Sequence, residues 1–390
     1  MPYSVYLKKG EERRILAGHS WVYANEVAKI EGKDKNGALA AVYAADGRFL
    51  GKGYINHLSK ILVRIFIRGQ EEDGKELYVR RIAAAKALRE AVMGEDSDCW
   101  RAVFAEADDL PAFICDKYGD YLCVELLSLG VDRRKETICE ALCEVFAPKG
   151  IYMRGDVAVR QKEGLPLESG TLYGEVPDTV CVQENGLRML VDVKNGQKTG
   201  YFLDQKENRR AIRRYCRGRK VLDCFCNSGG FSLNAASVAK EVVALDISRF
   251  ALDNVEENAR LNGFANIATR CGDAFALLRE MRAAGEKFGC VVLDPPAFCK
   301  SAAEVQDAYR GYKDVNIYAM KLVEPGGFLM SCSCSHYMTA QLFEKMLRES
   351  AREAGRRAKI LEVRVQAPDH PALLSAEETS YLKAFILQLE

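Results

Sequence analysis

The second half of the chain alternates short apolar runs with longer amphipathic segments. A short apolar run predicts a buried strand, and apolar positions that recur every three or four residues predict a helix. The predicted strands lie at 221–224, 242–246, 267–271, 289–293 and 327–332. The predicted helices lie at about 230–239, 249–262, 274–284, 303–322 and 339–355. This alternation predicts an α/β fold, with a parallel sheet covered on both faces.

Two further apolar runs, 358–365 and 381–389, close the chain without a helix between them. A parallel connection needs a crossover, so one of these two strands should enter the sheet antiparallel.

The first half has a different pattern. Residues 1–71 predict a β-rich module, and residues 72–192 predict a small α+β domain with no visible chemistry. In the second of these regions, Asn185-Gly186 is typical of a primed hairpin turn. The composition changes after residue 192, so we take 193–390 as a third domain. The predicted strands of the first region are 38–43, 49–54 and 61–68, and the predicted helices of the second are about 72–98 and 133–146.

Composition narrows the class of protein. The chain has 390 residues, a net charge of +1 and 48% hydrophobic residues. No apolar run has membrane-spanning length, and the N-terminus lacks a signal-peptide core, so we expect a soluble cytoplasmic protein. The fourteen cysteines include no pair of C-x-x-C knuckles, so we expect no metal site.

The segment Lys220–Leu233 predicts a strand, a glycine turn at Gly229 and Gly230, and a helix N-terminus. This arrangement suits nucleotide-like ligands in α/β sheets. Asp246, at the end of the next strand, is placed to bind a pair of ribose hydroxyls. Dinucleotide and S-adenosylmethionine binding both fit, and so does a plain strand-to-helix turn. A nicotinamide dehydrogenase is disfavoured because the first turn lacks G-x-G-x-x-G.

Five successive strand ends carry polar or reactive groups. Ligands of open α/β sheets bind beyond the carboxyl ends of the strands, so these groups should lie around one pocket. Two prolines stiffen the loop after Asp294, which could grip the edge of a planar base while Phe298 stacks on it. The five ends are Asp223, Asp246, Asp273, Asp294-Pro-Pro and Ser331–Ser335.

Cys334 is a candidate nucleophile. A thiolate that attacks C6 of cytosine makes C5 nucleophilic, and the Asp294 carboxyl could bind or protonate N3. Cys332 has the same parity along the strand and is the main competitor, and Cys299 could serve as a second thiol or as a base. Cys334 could instead be a buried strand residue.

Two basic regions could contact RNA. Residues 1–70 carry twelve Lys and Arg against six Asp and Glu, with Trp21 beside the basic segment. In a predicted helix at 206–220, Arg209, Arg213 and Arg217 share one face, where a phosphate partner would offset their repulsion. Solvated surfaces would give the same patterns.

Together, Asp223–Phe231, Asp246, Asp273, Asp294–Phe298 and Ser333-Cys-Ser335 resemble a class I S-adenosylmethionine (SAM)-dependent methyltransferase. The segment Thr199–Gln205, with Asn208 and Arg209, makes the resemblance more specific. With these residues the chain resembles bacterial large-subunit (23S) ribosomal RNA cytosine-C5 methyltransferases of the RlmI type, and this resemblance covers nearly the whole chain. His19-Ser-Trp-Val-Tyr23 resembles the start of their RNA-binding PUA domain, and Ala367–Pro371 a late segment.

The resemblance implies a PUA domain at 1–71, an α+β middle domain at 72–192 and a Rossmann-like class I methyltransferase domain at 193–390. It implies that Cys334 is the nucleophile and Asp294 its partner, that Asp246 binds the ribose and that Asp273 binds the adenine amine. Other RNA methyltransferases with two catalytic cysteines have Pro-Cys where this chain has Pro296-Ala297, so the group that removes the C5 proton stays open. The residues expected to bind the cofactor are Lys198, Thr199, Gly200, Asp223, Phe225, Asn227, Gly229, Asp246, Ile247, Asp273, Ala274 and Asp294.

Two alternatives remain. The Asp294–Phe298 loop could hold an exocyclic amino group for N-methylation, with no need for a cysteine. A non-catalytic RNA-binding assembly factor could keep the cofactor fold as a scaffold. We expect ribosomal RNA as the partner, no membrane, and a monomer or homodimer.

Overall fold

The structure is a computed structural model that describes residues 2–299 and 301–390. The chain folds into two compact units. The first comprises Met1–Val182, Val191–Leu203 and Pro368–Thr379, and the second comprises Gln183–Leu190, Asp204–Ala367 and Ser380–Glu390. The domain boundaries near residues 71 and 192 remain predictions.

The N-terminal part of the first unit is a mixed sheet with strand order β2-β6-β5-β4-β1-β3. The sequence pattern predicted β4, β5 and β6. It missed β1, which has five residues with alternating burial, β2, which has three residues, and β3, which is mostly exposed and has no apolar face to detect. The elements are β1 (Tyr3–Leu7), α1 (Glu12–Leu16), β2 (Trp21–Tyr23), β3 (Val27–Glu31), β4 (Leu39–Tyr43), β5 (Phe49–Ile55) and β6 (Ile61–Ile67).

The remainder of the first unit is built around a sheet with order β11-β10-β9-β8-β7. The helices α2 and α4 pack on each other, and their apolar faces share a core with the sheet. The elements are α2 (Lys75–Val92), β7 (Cys99–Phe104), β8 (Phe113–Tyr118), β9 (Tyr121–Leu126), α3 (Leu129–Asp132), α4 (Lys135–Phe146), β10 (Gly150–Met153), α5 (Val159–Lys162) and β11 (Gly170–Gly174).

A hairpin follows, formed by β12 (Thr179–Glu184) and β13 (Leu187–Asp192). Its turn residues Asn185 and Gly186 have φ of 55° and 75°. Positive φ at both central positions is what a type I′ turn requires, so the hairpin predicted from Asn-Gly is confirmed.

The second unit contains a sheet with order β16-β15-β14-β17-β18-β20-β19. The pairs β15·β16, β14·β15, β14·β17 and β17·β18 are parallel, and β20 is antiparallel to both neighbours. The predicted alternation and the antiparallel final strand are therefore confirmed. The elements are α6 (Lys206–Cys216), β14 (Lys220–Cys224), α7 (Gly230–Ala236), β15 (Glu241–Asp246), α8 (Arg249–Leu261), β16 (Ile267–Cys271), α9 (Ala274–Ala283), β17 (Phe288–Leu293), α10 (Val305–Leu322), β18 (Val323–Ser333), α11 (Ala340–Ala354), β19 (Ala358–Arg364) and β20 (Lys383–Leu389).

Apolar cores cover both faces of this sheet. One core includes residues of α9, α10 and α11, and the other includes residues of α6 and α7. The strand order reverses between β14 and β17, and the carboxyl ends at such a switch point leave a crevice for ligands. The fold therefore places the candidate site beyond β14, β15, β17 and β18.

In the described part of the chain, no helix is both long and apolar enough to cross a membrane.

Candidate active site

Asp223 lies at the end of β14 and is almost fully buried. Ser232 Oγ donates a 2.6 Å hydrogen bond to its Oδ2, while its Oδ1 has no partner among the described residues. Burial raises the pKa of this carboxyl to about 7, and the nearby charge of Asp294 adds to the effect. A buried carboxyl oxygen without a partner is costly, so this position suits a ligand that brings a donor or a positive charge.

The turn between β14 and α7 has an unusual backbone. Phe225, Asn227 and Gly229 have φ of 63°, 49° and 88°. A Cβ on Gly229 would lie 3.0 Å from Val255 Cγ2, so only glycine fits there without strain. The backbone of the turn is thereby free to approach a ligand closely.

Asp246, at the end of β15, fixes this turn. Its Oδ2 accepts a 3.0 Å hydrogen bond from the Asn227 amide, and its Oδ1 accepts a 2.9 Å bond from the Ser248 amide. Each carboxylate oxygen has a second lone pair, so the oriented carboxylate can still accept hydrogen bonds from two neighbouring hydroxyls.

The ends of β15 and β16 each present one further group at the surface, an apolar side chain after β15 and a carboxylate after β16. Ile247 is 71% exposed, which is high for an aliphatic side chain. Asp273 is exposed and caps α9, where its carboxylate accepts a 3.0 Å hydrogen bond from the Ala276 amide, and Ala274 behind it is buried. An apolar wall beside an acceptor suits a planar base that carries an amine.

Asp294 follows β17 and is held from the segment just before α6. Gln205 Nε2 donates a 2.9 Å hydrogen bond to Asp294 Oδ1. Gln205 is itself oriented by Asn208, whose Nδ2 donates to Gln205 Oε1 at 2.7 Å, and Arg364 Nε donates to Asn208 Oδ1 at 2.9 Å. Sequence analysis singled out this polar segment but gave Gln205 no role, because its partner lies 89 positions away.

The three candidate thiols have different surroundings. Cys334 is half-buried just beyond β18. Cys332 is fully buried, and burial raises the pKa of its thiol well above its usual range. Cys299 is 3% exposed, and its Sγ donates to the Ser301 carbonyl oxygen at 3.1 Å. A nucleophile needs access and a thiolate, so this geometry favours Cys334 over both competitors.

The segment that carries Cys334 is anchored on both sides. The Tyr312 hydroxyl is 3.0 Å from Ser333 Oγ and 2.9 Å from Ser335 Oγ. Lys383 Nζ donates to the Ser335 carbonyl oxygen at 2.6 Å. Tyr312 and Lys383 carry no motif signal and were missed, since only the fold brings α10 and β20 to this strand end.

Phe298 does not project freely as a stacking platform. Its ring packs on Tyr312 at 4.7 Å between centroids and lies 6.1 Å from Phe275. The ring is half-buried, so base stacking by Phe298 remains a prediction and would involve only its remaining exposed edge.

The expected basic face of α6 needs a correction. Arg209 is 3% exposed and forms two 2.7 Å hydrogen bonds with the carboxylate of Glu184, which is also buried. Arg213 is half-buried, where its Nε donates to Asn234 Oδ1 and its Nη2 donates to the Asn185 carbonyl oxygen. Of the three arginines predicted to bind RNA, Arg217 alone is exposed. The error arose because helical spacing does not show which face of a polar helix is buried.

Residues Lys198, Thr199 and Gly200 belong to the first unit. Thr199 is fully buried, and its hydroxyl donates to Asp116 Oδ2 and is 3.1 Å from the Tyr118 hydroxyl. That side chain is thus part of the unit's interior, and the expected cofactor contact of Thr199 stays a prediction. Lys198 Nζ lies 4.4 Å from the centre of the Phe202 ring, and Gly200 has a φ of 130°. Cofactor binding by Lys198 and Gly200 stays a prediction.

Trp21 is also engaged within the first unit. Its indole N–H donates to Glu106 Oε1 at 2.8 Å, and its ring meets those of His19 and Tyr23 edge-on. Its predicted contact with RNA could involve only the remaining surface of a half-buried ring.

The N-terminal sheet presents a different aromatic surface that sequence analysis missed. Tyr6 on β1 lies opposite Tyr43 on β4, which lies opposite Phe49 on β5, and we call these three residues the aromatic row. The Tyr6 and Tyr43 rings stack at 5.2 Å, and Lys29 Nζ lies 4.3 Å from the centre of the Tyr6 ring. The register of neighbouring strands creates this row, so local sequence could not reveal it.

Comparisons with known proteins agree with this architecture. A model of the S-adenosylmethionine-dependent methyltransferase family matches residues 142–388, and a model of the PUA-like domain matches residues 5–68. A candidate SAM-dependent methyltransferase from Streptococcus mutans has the same fold, with a TM-score of 0.84 over 100% of both chains at 20% identity. A second candidate methyltransferase, solved in complex with SAH, gives 0.86 over 100% of both chains at 19% identity.

The fold, the strand-end acids and these matches define a SAM-dependent methyltransferase with an N-terminal PUA-like domain. The chain is 41% identical over 390 residues to "Ribosomal RNA large subunit methyltransferase I" of Aeromonas salmonicida, covering 98% of each chain. It is 41% identical over 389 residues to the Vibrio cholerae protein of the same name, again covering 98% of each. The chain therefore belongs to the ribosomal RNA large subunit methyltransferase I family.

No cluster of three or more metal-binding side chains occurs in residues 2–299 and 301–390.

Proposed function

We propose that this chain methylates C5 of a cytosine in large-subunit ribosomal RNA through a covalent adduct with Cys334. The observation that carries the proposal is the placement of an accessible thiol and an oriented carboxylate beyond neighbouring parallel strands. β17 and β18 pair up to Leu293 and Ser331, so Asp294 follows directly and Cys334 three residues later, both at the same edge of the sheet.

The proposed cofactor subsite uses the ends of β14, β15 and β16. Asp223 and the glycine turn would lie against the methionine part, Asp246 would accept the ribose hydroxyls, and Ile247 with Asp273 would hold the adenine. The buried, unpartnered Asp223 Oδ1 supports a ligand at this place. When bound, SAM supplies an electrophilic methyl group.

The protein residues would then act in sequence on the base. The Cys334 thiolate forms a bond to C6, and the electron pair of the C5–C6 bond shifts toward C5 and N3. Asp294, oriented by Gln205 and in its protonated form, donates its proton to N3 and so stabilises the developing negative charge; the proton returns to Asp294 when the adduct breaks down. After C5 has taken the methyl group, loss of the C5 proton returns an electron pair that re-forms the C5–C6 bond and expels the Cys334 thiolate.

RNA would reach this site as a base taken out of its stack, since C5 and C6 are not accessible to a thiol within a helix. The aromatic row with Lys29, and the exposed Arg217, are the proposed contacts to the remaining RNA. Aromatic rings stack on bases, and basic side chains contact phosphates. An enzyme with this substrate would work in the cytoplasm, where bacterial ribosomes assemble.

The direct test incubates the protein with SAM and unmodified 23S ribosomal RNA and identifies the modified nucleoside by mass spectrometry. The proposal predicts 5-methylcytidine, and none with Cys334→Ala. N-methylated purines that persist in Cys334→Ala would instead establish the amino-methylation alternative. Binding of SAM and RNA without any methylated nucleoside would favour an assembly factor.

A further inference from the structure

Lys383 is a buried cation without an acidic partner among the described residues. It begins β20 opposite Ser333 of β18 and is 8% exposed. Its Nζ donates to the carbonyl oxygens of Ser335 and Tyr381, both at 2.6 Å. Within the described residues no carboxylate lies within 4 Å of Nζ, which distinguishes Lys383 from the buried arginines Arg64, Arg89, Arg101 and Arg209.

A cation that is removed from water and meets only neutral acceptors is unfavourable unless an anion lies nearby. Cys334 is adjacent in sequence to Ser335, whose carbonyl Lys383 contacts. Burial lowers the pKa of Lys383 to about 8, and the negative charge of a Cys334 thiolate opposes this lowering. The sulfur is thus the anion that the site provides for Lys383.

We propose that Lys383 is a positioning residue that keeps Cys334 as a thiolate by supplying the positive charge beside its sulfur. The Cys334 S–H bond breaks, its proton passes to solvent water, and the electron pair stays on sulfur. Lys383 remains an ammonium group, so the step releases one proton and involves no oxidation. The inference rests on the proposed role of Cys334, but ionisation of the thiol can be measured without RNA or SAM.

Lys383 also explains why Cys334, and not Cys332, would be the nucleophile. Cys332 points into the core, where burial disfavours its thiolate. Cys334 lies where the chain leaves the sheet and where Lys383 comes in from the neighbouring strand. A nearby cation lowers the pKa of a thiol, whereas burial in apolar surroundings raises it. The fold therefore favours the thiolate form of Cys334 over that of Cys332.

The test is alkylation of the folded full-length protein with iodoacetamide between pH 5.5 and 9.5. Peptide mass spectrometry gives the labelling rate at Cys334, and the exposed Cys181 serves as an internal reference. We expect Cys334 to react at lower pH than Cys181. In Lys383→Met, the apparent pKa of Cys334 should rise by about one unit, which lowers its labelling rate about tenfold at the acidic end of this pH range, below both pKa values. Lys383→Arg, which keeps the charge, should retain most of the reactivity.

A purely structural role for Lys383 would leave this pH profile unchanged. Identical profiles for wild type and Lys383→Met would overturn the proposal. If Lys383→Met does not fold, the pH profile of the wild-type protein tests the proposal. A Cys334 that titrates at no lower pH than Cys181 would be incompatible with a charge-stabilised thiolate. A lowered profile in a protein that does not methylate RNA would separate this inference from the proposed function.

Discussion

Gln205 and Asp294 are joined by a 2.9 Å hydrogen bond in which the Gln205 amide donates to the Asp294 carboxylate. The bond connects the segment before α6 to the loop after β17. The bond fixes the orientation of the Asp294 side chain without placing another charge beside it. A residue that must bind N3 of a base requires such a fixed orientation.

Gln205→Leu removes this donor while keeping a similar volume. We expect the rate of methyl transfer to fall about 10- to 100-fold, as is typical when the partner of an active-site group is lost. The affinity for SAM should change much less. Steady-state transfer and SAM titration measure the two effects, and Gln388→Leu on β20 is a matched control. An unchanged rate would show that Asp294 does not need Gln205.

The pKa of about 7 for Asp223 predicts how stability depends on pH without cofactor. Between about pH 4 and 7 the folded protein keeps a proton on Asp223 that the unfolded chain has released, so stability falls as pH rises through this window. Asp223→Asn removes this loss, which is on the order of 2–4 kcal/mol. Its melting temperature relative to wild type should therefore be higher at pH 8 than at pH 5. The same difference at both pH values would contradict the buried, protonated carboxyl, and Asp253→Asn on α8 is the exposed control.

Substitutions of Arg209 and Arg217 should have different effects, the first on stability and the second on RNA binding. Arg209→Met breaks a buried ion pair and leaves Glu184 without its bidentate cation, which should cost about 3–5 kcal/mol of stability. Arg217→Gln should change stability by less than about 0.5 kcal/mol. It should instead lower the salt slope of RNA binding by about one if Arg217 contacts one phosphate. Urea unfolding and RNA titrations at several salt concentrations check both, and the assignment fails if Arg209→Met is as stable as wild type.

The aromatic row predicts an RNA contact in the PUA-like domain. Each aromatic ring that stacks on a base contributes about 1–3 kcal/mol, so Tyr43→Ala should weaken RNA binding about 5- to 100-fold. Trp21→Phe is the control, since it removes the bond to Glu106 but leaves the row intact. If Trp21→Phe lowers the affinity for RNA and Tyr43→Ala does not, the RNA contact involves Trp21 and not the aromatic row.

Sequence analysis identified the methyltransferase-like sheet almost completely, because its strands and helices have strong and different apolar periods. It also located the acids at Asp223, Asp246, Asp273 and Asp294, since each follows an apolar run. These inferences needed only local pattern and the rule that strand ends share one edge.

Sequence analysis could not predict the features of the site that depend on long-range packing. The burial of Arg209 against Glu184, the orientation of Asp294 by Gln205 and the position of Lys383 all join residues far apart in the chain. The buried side of α6 was misjudged because charged residues on a helix are normally solvated. The aromatic row was missed because its members come from three strands in register.

The measurement that tests the central claim most directly uses RNA that contains 5-fluorocytosine, incubated with the protein and SAM. Fluorine at C5 cannot leave as a proton would, so an enzyme attached through its cysteine remains bound to the RNA. We predict a denaturant-stable complex that Cys334→Ala abolishes and Cys332→Ala retains. Absence of the complex, with methyl transfer to ordinary RNA still detectable, would contradict covalent catalysis by Cys334.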